Sequence, residues 1–208
     1  MSIITISREF GSGGRELGKR LADQLHFAYY DKEILTAAAQ RNGLDEKYVE
    51  QVFESGTLRQ FPITVGRTFS TVGAYQHQRN KTDFLLKQQQ ILKEFAQKGN
   101  CVIVGRGADV ILKEYAPLNL FVYADMPSKV KRCRKYADKY EQLTDHELKI
   151  KIRQIDHNRK EYYEILKGDT WGAKENYQLC INTTGIQIDG IAPILAEYAQ
   201  YWLRRAAE

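Results

Sequence analysis

The sequence predicts a three-layer α/β/α fold built on a five-stranded parallel sheet. Three observations carry that prediction. Short apolar runs recur along the chain, mostly separated by segments of helical periodicity, and no hairpin-type turn joins one to the next. Parallel neighbours need crossover connections, so this alternation places helices on both faces of a sheet. One run, Cys101 to Val104, is continuously apolar, as a central strand buried on both faces should be.

The elements follow in order. Ile3 to Ile6 is a β-branched run suited to a buried strand, and Gly11, Gly13 and Gly14 free the turn that follows. Leu17, Leu21, Ala22 and Leu25 then recur at helical spacing. Phe27 to Asp31 reads as a second strand ending in a carboxylate, and a helix from Lys32 to about Arg41 stops at Asn42-Gly43. Asp45 can cap another helix bearing Val49, Val52 and Phe53 on one face. Residues 55–81 are irregular and rich in donors and aromatics, either a ligand-facing segment or a surface loop. A long helix begins near Thr82 and ends at Lys98-Gly99-Asn100, before the strand Cys101–Val104. Leu118 to Tyr123 is the fourth strand, followed by a basic helix from Met126 to Tyr140. Thr144 and Glu147 have the spacing of a capping box opening a helix that runs towards Gly168. Tyr177 to Ile181 is the fifth strand, and Ile191, Ile194, Leu195, Tyr198 and Trp202 stripe a final helix.

Composition bounds the function. The 208 residues suffice for one buried core. A net charge of +5 favours anionic partners, either nucleic acid or a substrate pair carrying several phosphates. No nucleic-acid motif is recognised, so none is expected as a partner. Three widely separated cysteines, Cys101, Cys133 and Cys180, argue against a disulfide framework and a zinc site. With no apolar run of membrane-spanning length, the expected location is cytoplasmic.

The chemistry concentrates at the first glycine turn. Strand, glycine-rich turn and helix together point backbone N–H groups and a helix N-terminus at an anion, usually a phosphate. The turn is not a dinucleotide fingerprint, because Glu16 stands where the third glycine belongs. Against the phosphate-loop pattern G-x-x-x-x-G-K-[ST], Gly14 takes the lysine position and Arg15 the hydroxyl position. Arg15 retains a cation one residue away, as a planar fork suited to phosphate oxygens. Ser12 and Ser7 are the hydroxyls left to replace the missing metal ligand; water and a carboxylate are the alternative. No residue is assigned as a metal ligand. Ligands of such sheets bind beyond the carboxyl ends of the strands, where the glycine loop, Asp31 and Arg106 all fall.

Several motifs in order resemble the cytidylate kinase-like proteins, relatives of bacterial cytidylate kinase with an altered phosphate loop. They are Ile4-Thr-Ile-Ser-Arg-Glu-Phe-Gly-Ser-Gly-Gly-Arg-Glu-Leu-Gly-Lys19, Tyr29-Tyr-Asp-Lys-Glu-Ile-Leu35 and Val102-Ile-Val-Gly-Arg-Gly-Ala-Asp109. Ile155-Asp-His-Asn-Arg159 with Tyr162-Tyr163, Trp171-Gly172 and Tyr177-Gln-Leu-Cys-Ile-Asn-Thr183 extend the resemblance over nearly the whole chain. It implies a P-loop NTPase-type single domain over residues 1–208, with an acceptor-binding insertion at 32–98 and a lid at 126–168. It implies transfer of the ATP γ-phosphoryl group, with Mg²⁺, to a small phosphorylated acceptor such as CMP or dCMP. Gly11, Ser12, Gly13, Gly14, Arg15 and Glu16 would wrap ATP, and Asp31, Arg106, Asp156 and Arg159 would bind the acceptor. Arg15, Arg132, Arg134 and Arg153 would serve the transferring group; the lid arginine expected four residues before Asp156 is Ile152, with Arg153 one place away. Lys32 and Ala37 do not match the serine and arginine that help true cytidylate kinases select their base. Loss of the loop lysine and hydroxyl leaves a second reading, a catalytically impaired nucleotide-binding sensor or regulatory protein.

Overall fold

A computed structural model describes residues 2–31, 85–136 and 143–205, together with 36, 37, 39–41 and 43. Its centre is a parallel five-stranded sheet of β1 (Ile3–Arg8), β2 (Ala28–Tyr30), β3 (Cys101–Val104), β4 (Leu118–Tyr123) and β5 (Leu179–Asn182), in the order β2-β3-β1-β4-β5. Ile3 pairs with Cys101 on one side of β1, and Ile4 with Leu118 on the other. The first strand is therefore central and the glycine turn leaves the middle of the sheet.

Alternation of side chains along β1 divides the core into two layers. Ile4 and Ile6, with Val102, Val104, Leu120, Val122 and Ile181, pack against Leu17 and Leu21 of α1 (Gly14–Leu25), and α1 packs on the last helix. The opposite layer combines Ile3, Cys101 and Ile103 with Ile91, Leu92 and Ala96 of α2 (residues 85–97) and with Ala108 and Leu112. Each fully buried aliphatic side chain contributes about 1.5–3 kcal/mol. Thr5 and Ser7 interrupt the second layer with polar groups: Thr5 Oγ1 donates to Asn119 Oδ1 at 2.6 Å and Ser7 Oγ to Asp109 Oδ1 at 3.4 Å.

A short helix, α3 (Ala108–Ile111), follows β3 where the sequence reading assigned no element. The basic helix α4 (Met126–Tyr136) is described as far as Tyr136; its expected continuation to Tyr140 lies outside the described residues. The capping box is present: Thr144 accepts from the Glu147 N–H and opens α5 (Asp145–Lys167), closed by Gly168. The final helix, α6 (Ile188–Arg205), carries Pro193 six residues into its first turns, where an interior carbonyl bond is forgone. Strand ends shift slightly from the sequence reading, with Phe27 and Tyr177 lying before the strands rather than in them. Residues 36, 37 and 39–41 are helical, as expected of the segment after Asp31. The helix capped by Asp45 and the donor-rich stretch 55–81 lie outside the described residues, as does most of the 32–98 insertion. Among the described residues, no helix is long and apolar enough to cross a membrane.

Candidate active site

The loop after β1 is fixed from outside through its carbonyl groups. Arg8 O accepts from Arg159 Nη1 at 3.1 Å, Gly11 O from Arg132 Nη1 at 3.5 Å, and Ser12 O from Thr183 Oγ1 at 2.6 Å. Glu9 O accepts from Ser12 Oγ at 2.8 Å. With these carbonyls occupied, what the loop can offer an anion is N–H. Gly13, at φ 85°, turns the chain into α1, and Ser12 Oγ accepts from the Gly14 N–H at 3.4 Å. The first-turn amides of Arg15 and Glu16 have no intrahelical acceptor, and the helix dipole adds a positive end. A Cβ at Gly13 would lie 2.6 Å from Ile188 Cδ1, so this tight turn requires glycine on steric grounds as well.

On the β2–β3 side of the loop, cations gather around one buried carboxylate. Asp31, 3 % exposed, follows β2 directly. Arg15 Nε lies 2.6 Å from its Oδ2, and Arg8 Nη2 lies 3.6 Å from its Oδ1. Burial pulls the Arg8 guanidinium below its ordinary range, and the Arg15 charge adds to that effect while Asp31 opposes it. Arg106 stands in the same quarter, between Gly105 and Gly107, and all three have positive φ (80°, 62° and 62°). For arginine that conformation costs about 1–2 kcal/mol, a strain expected where function fixes the backbone. Tyr162 of α5 faces Arg106; burial pushes its hydroxyl up to about 12, and it accepts from Gln88 Nε2 at 3.3 Å.

The β4–β5 side is built differently. Lys129 of α4 is buried, 2.7 Å from Glu9 Oε2 and 3.0 Å from Asp156 Oδ2. Asp156 Oδ1 accepts from the Phe10 N–H at 2.6 Å, and Glu9 Oε2 accepts from the Ala124 N–H at 3.2 Å. Burial raises the Asp156 carboxyl, an effect that the Phe10 N–H and Lys129 oppose. The Arg132 guanidinium bonds the carbonyls of Thr183 and Ile186 besides that of Gly11, joining the loop to the turn after β5. This network locks the loop to α4, α5 and β5.

The expected site residues thus separate into groups. Gly11 to Glu16, Asp31 and Arg106 converge on the carboxyl edge of the sheet. Asp156 and Arg159 reach the same edge, but both touch the loop backbone: Arg159 also lies 3.7 Å from Asp156 and 5.6 Å from the centre of the Phe10 ring. Arg134 pairs with Asp145 at 2.7 Å, and Arg153 is exposed on α5. Lys129, one of the cations of the basic helix, is only 5 % exposed. Arg8, Glu9, Lys129, Thr183, Gln88 and Tyr162 were missed. For Arg8 a signal existed: it occupies the first glycine position of the phosphate-loop pattern, five residues before Gly13.

The residues present fit a nucleotide's phosphates through the loop amides and flanking arginines. They do not fit a side-chain site for Mg²⁺. Ser12 Oγ is turned to Glu9 O and Ser7 Oγ to Asp109, both residues being buried. Asp125, at the end of β4, accepts from the Ser128 N–H at 2.9 Å and caps α4. Among the described residues, no group of three or more His, Cys, Asp or Glu side chains could hold a metal ion.

The profile of the Cytidylate kinase-like family matches residues 3–185. The chain belongs to the cytidylate kinase-like family. No curated protein matches it significantly. Among solved structures it is similar to an uncharacterized protein from Eubacterium ventriosum, at 24% identity and TM-score 0.68 over 96% of this chain and 98% of that one. It is also similar to shikimate kinase from Bacteroides thetaiotaomicron (19% identity, TM-score 0.56, 96% and 98% covered). Deoxyadenosine kinase from M. mycoides, solved with dCMP and dCDP, gives 10% identity and TM-score 0.51 over 96% and 99% of the two chains. Family and fold are those of kinase-like phosphotransferases, and the three-layer parallel architecture expected from the sequence is the one observed.

Proposed function

We propose that this protein transfers the γ-phosphoryl group of ATP to a small phosphorylated acceptor, CMP or dCMP being the leading candidates. The observation that carries the reading is the carboxyl edge of the sheet, where a helix N-terminus and a carbonyl-anchored glycine loop meet Arg15, Asp31 and Arg106. Phosphoryl transfer asks for positioned cations and excluded water rather than covalent chemistry from the protein. In this scheme Gly11 to Glu16 bind the donor phosphates through N–H groups. Arg15 moves between Asp31 and the transferring phosphoryl group, and Arg106 holds the acceptor phosphate. Asp31, once relieved of Arg15, accepts a hydrogen bond from the acceptor. Arg132, Asp156 and Arg159 shape the loop from behind, while Arg134 and Arg153 belong to the lid at 126–168 and residues 32–98 form the acceptor-binding insertion. The chemistry Mg²⁺ would supply, offsetting the charge of the nucleotide's phosphates, would not draw on a side-chain site among the described residues.

The test is steady-state ADP release with each nucleoside monophosphate, in wild type and Arg15→Ala. The expected result is acceptor-dependent release that falls about a hundredfold or more in Arg15→Ala, the loss typical of a preorganised charge-stabilising donor. One observation favours a second reading, a nucleotide-binding sensor: Gly14 replaces the loop lysine, and the nearby Ser12 and Ser7 hydroxyls are bonded inward. ATP binding without acceptor-dependent ADP release would select it.

A further inference from the structure

The standard phosphate loop begins with glycine at the end of the first strand and places its lysine six residues later. Here those two positions hold Arg8 and Gly14. Their side chains cannot coexist in the usual sense. A Cβ at position 14 would lie 2.6 Å from Arg8 Cβ and 3.1 Å from Arg8 Cγ, contacts that rotation of the Arg8 side chain cannot fully relieve because its own Cβ is involved. Beyond that point the Arg8 side chain runs across the edge of the sheet towards β3. A Cβ at Gly105 would lie 1.8 Å from Arg8 Nη1, so a second glycine also makes room for the guanidinium. The far end of the side chain reaches Asp31, which Arg15 also contacts.

We propose that the cation and the glycine of the phosphate loop have exchanged ends in this chain, so that Arg8, not a residue at position 14, is the cation that contacts the polyphosphate. Three features support this assignment. Arg8 springs from the strand that bears the loop, its guanidinium lies between the loop and the Gly105–Gly107 turn, and the space it fills is cleared by Gly14 and Gly105. Asp31 holds the fork in place until an anion competes for it. A planar fork reaching from the strand end can engage two phosphate oxygens, where a lysine would supply a point charge. This inference rests on the proposed phosphotransfer only for its ligand; the mutual exclusion of side chains at 8 and 14 stands on sterics.

The experiment is calorimetric titration of the full chain with ATP, inorganic tripolyphosphate and adenosine, beside melting temperatures without ligand. The variants are Arg8→Met, Arg8→Gly, Gly14→Lys and the exchange Arg8→Gly/Gly14→Lys. Arg8→Met is expected to lose about thirtyfold in affinity for both polyphosphates, on the scale of a hydrogen bond to a charged group, while adenosine binding is unchanged. Gly14→Lys alone should lower the melting temperature by about 5 °C or more, as an overpacked buried contact does. Against Arg8→Gly only the 3.2 Å approach to Val122 Cβ remains, so the same lysine should cost clearly less melting temperature than in wild type and raise polyphosphate affinity about tenfold or more. Wild-type affinity in Arg8→Met overturns the proposal, as does a Gly14→Lys effect that is the same in both backgrounds. If Arg8→Met does not fold, the exchange pair decides by the same two readings. A wild type that binds ATP without turning it over removes the phosphotransfer and leaves Arg8 assigned by binding. A wild type that binds neither polyphosphate overturns both.

Discussion

The two sides of the glycine loop use the same residue types to opposite ends. Towards β2 and β3, Arg8 and Arg15 meet a side-chain carboxylate, Asp31, and Arg106 is held in a strained left-handed turn. Towards β4 and β5, Lys129 sits between two carboxylates and Arg132 bonds three backbone carbonyls. A carboxylate partner on a substrate-facing edge can be exchanged for a phosphate. A backbone carbonyl cannot leave, and a buried carboxylate that also takes a loop N–H is equally committed. Charge alone therefore does not identify a phosphate ligand; the nature of its partner does. In the proposed scheme the first side faces the ligand and the second holds the loop.

Four measurements can break or sharpen that contrast. The largest effect belongs to Lys129→Met, which strands Glu9 and Asp156 without their cation. It should cost about 3–5 kcal/mol, read as a melting temperature lowered by about 10 °C. A loss of nucleotide binding with the melting temperature intact would instead place Lys129 among the ligand contacts. Arg132→Met comes next, at about 2–3 kcal/mol for the charge-assisted bonds lost. Polyphosphate affinity should fall because the loop loosens, while its dependence on salt stays as in wild type, since no phosphate contact is removed. A shallower salt dependence would move Arg132 to the ligand's side.

Asp31→Asn tests the exchange of partners. Unliganded protein should lose about 1–2 kcal/mol, because Arg8 is left buried beside a neutral amide. Added tripolyphosphate should restore the melting temperature to that of liganded wild type, by binding the freed arginines. Melting curves that ignore the anion would contradict the assignment.

The smallest effect concerns Asp109, under the site. Burial raises its carboxyl despite the hydrogen bonds of Tyr163 and Ser7, so the folded state holds the proton more tightly than the unfolded one. Stability then falls as pH climbs from the ordinary aspartate range through the raised folded value, and stays lower above it. Asp109→Asn removes that cost. The variant should melt about 2–4 °C above wild type at neutral pH, on the order of 1 kcal/mol, and the gap should close at the acidic end of a pH series. A gap independent of pH would mean that Asp109 does not titrate on unfolding.

How much of this was legible beforehand differs by level. Strands, the helices now described and the capping box follow from local patterns, because burial on a face imposes a period that survives in one dimension. Their edges moved where packing intervened: Phe27 and Tyr177 fit the apolar run but lie outside the ladder. The glycine loop was found because its backbone demands are written in residue type. The burial of Lys129 is not legible in a run of basic residues, because only the approach of Glu9 and Asp156, 120 and 27 residues away, makes it tolerable.

The sequence by itself determined the parallel α/β architecture, the family and the place of the glycine loop, since each depends on periodicity or on a contiguous motif. Only the tertiary structure decided which partner each cation has. Partner choice is set by contacts across the sheet edge: Asp31 comes from just after β2, Asp156 from α5 and Thr183 from just after β5. The same logic applies to Arg8. Its place in the pattern was readable, but its collision with any side chain at position 14 exists only once the strand end and the helix start are folded against each other.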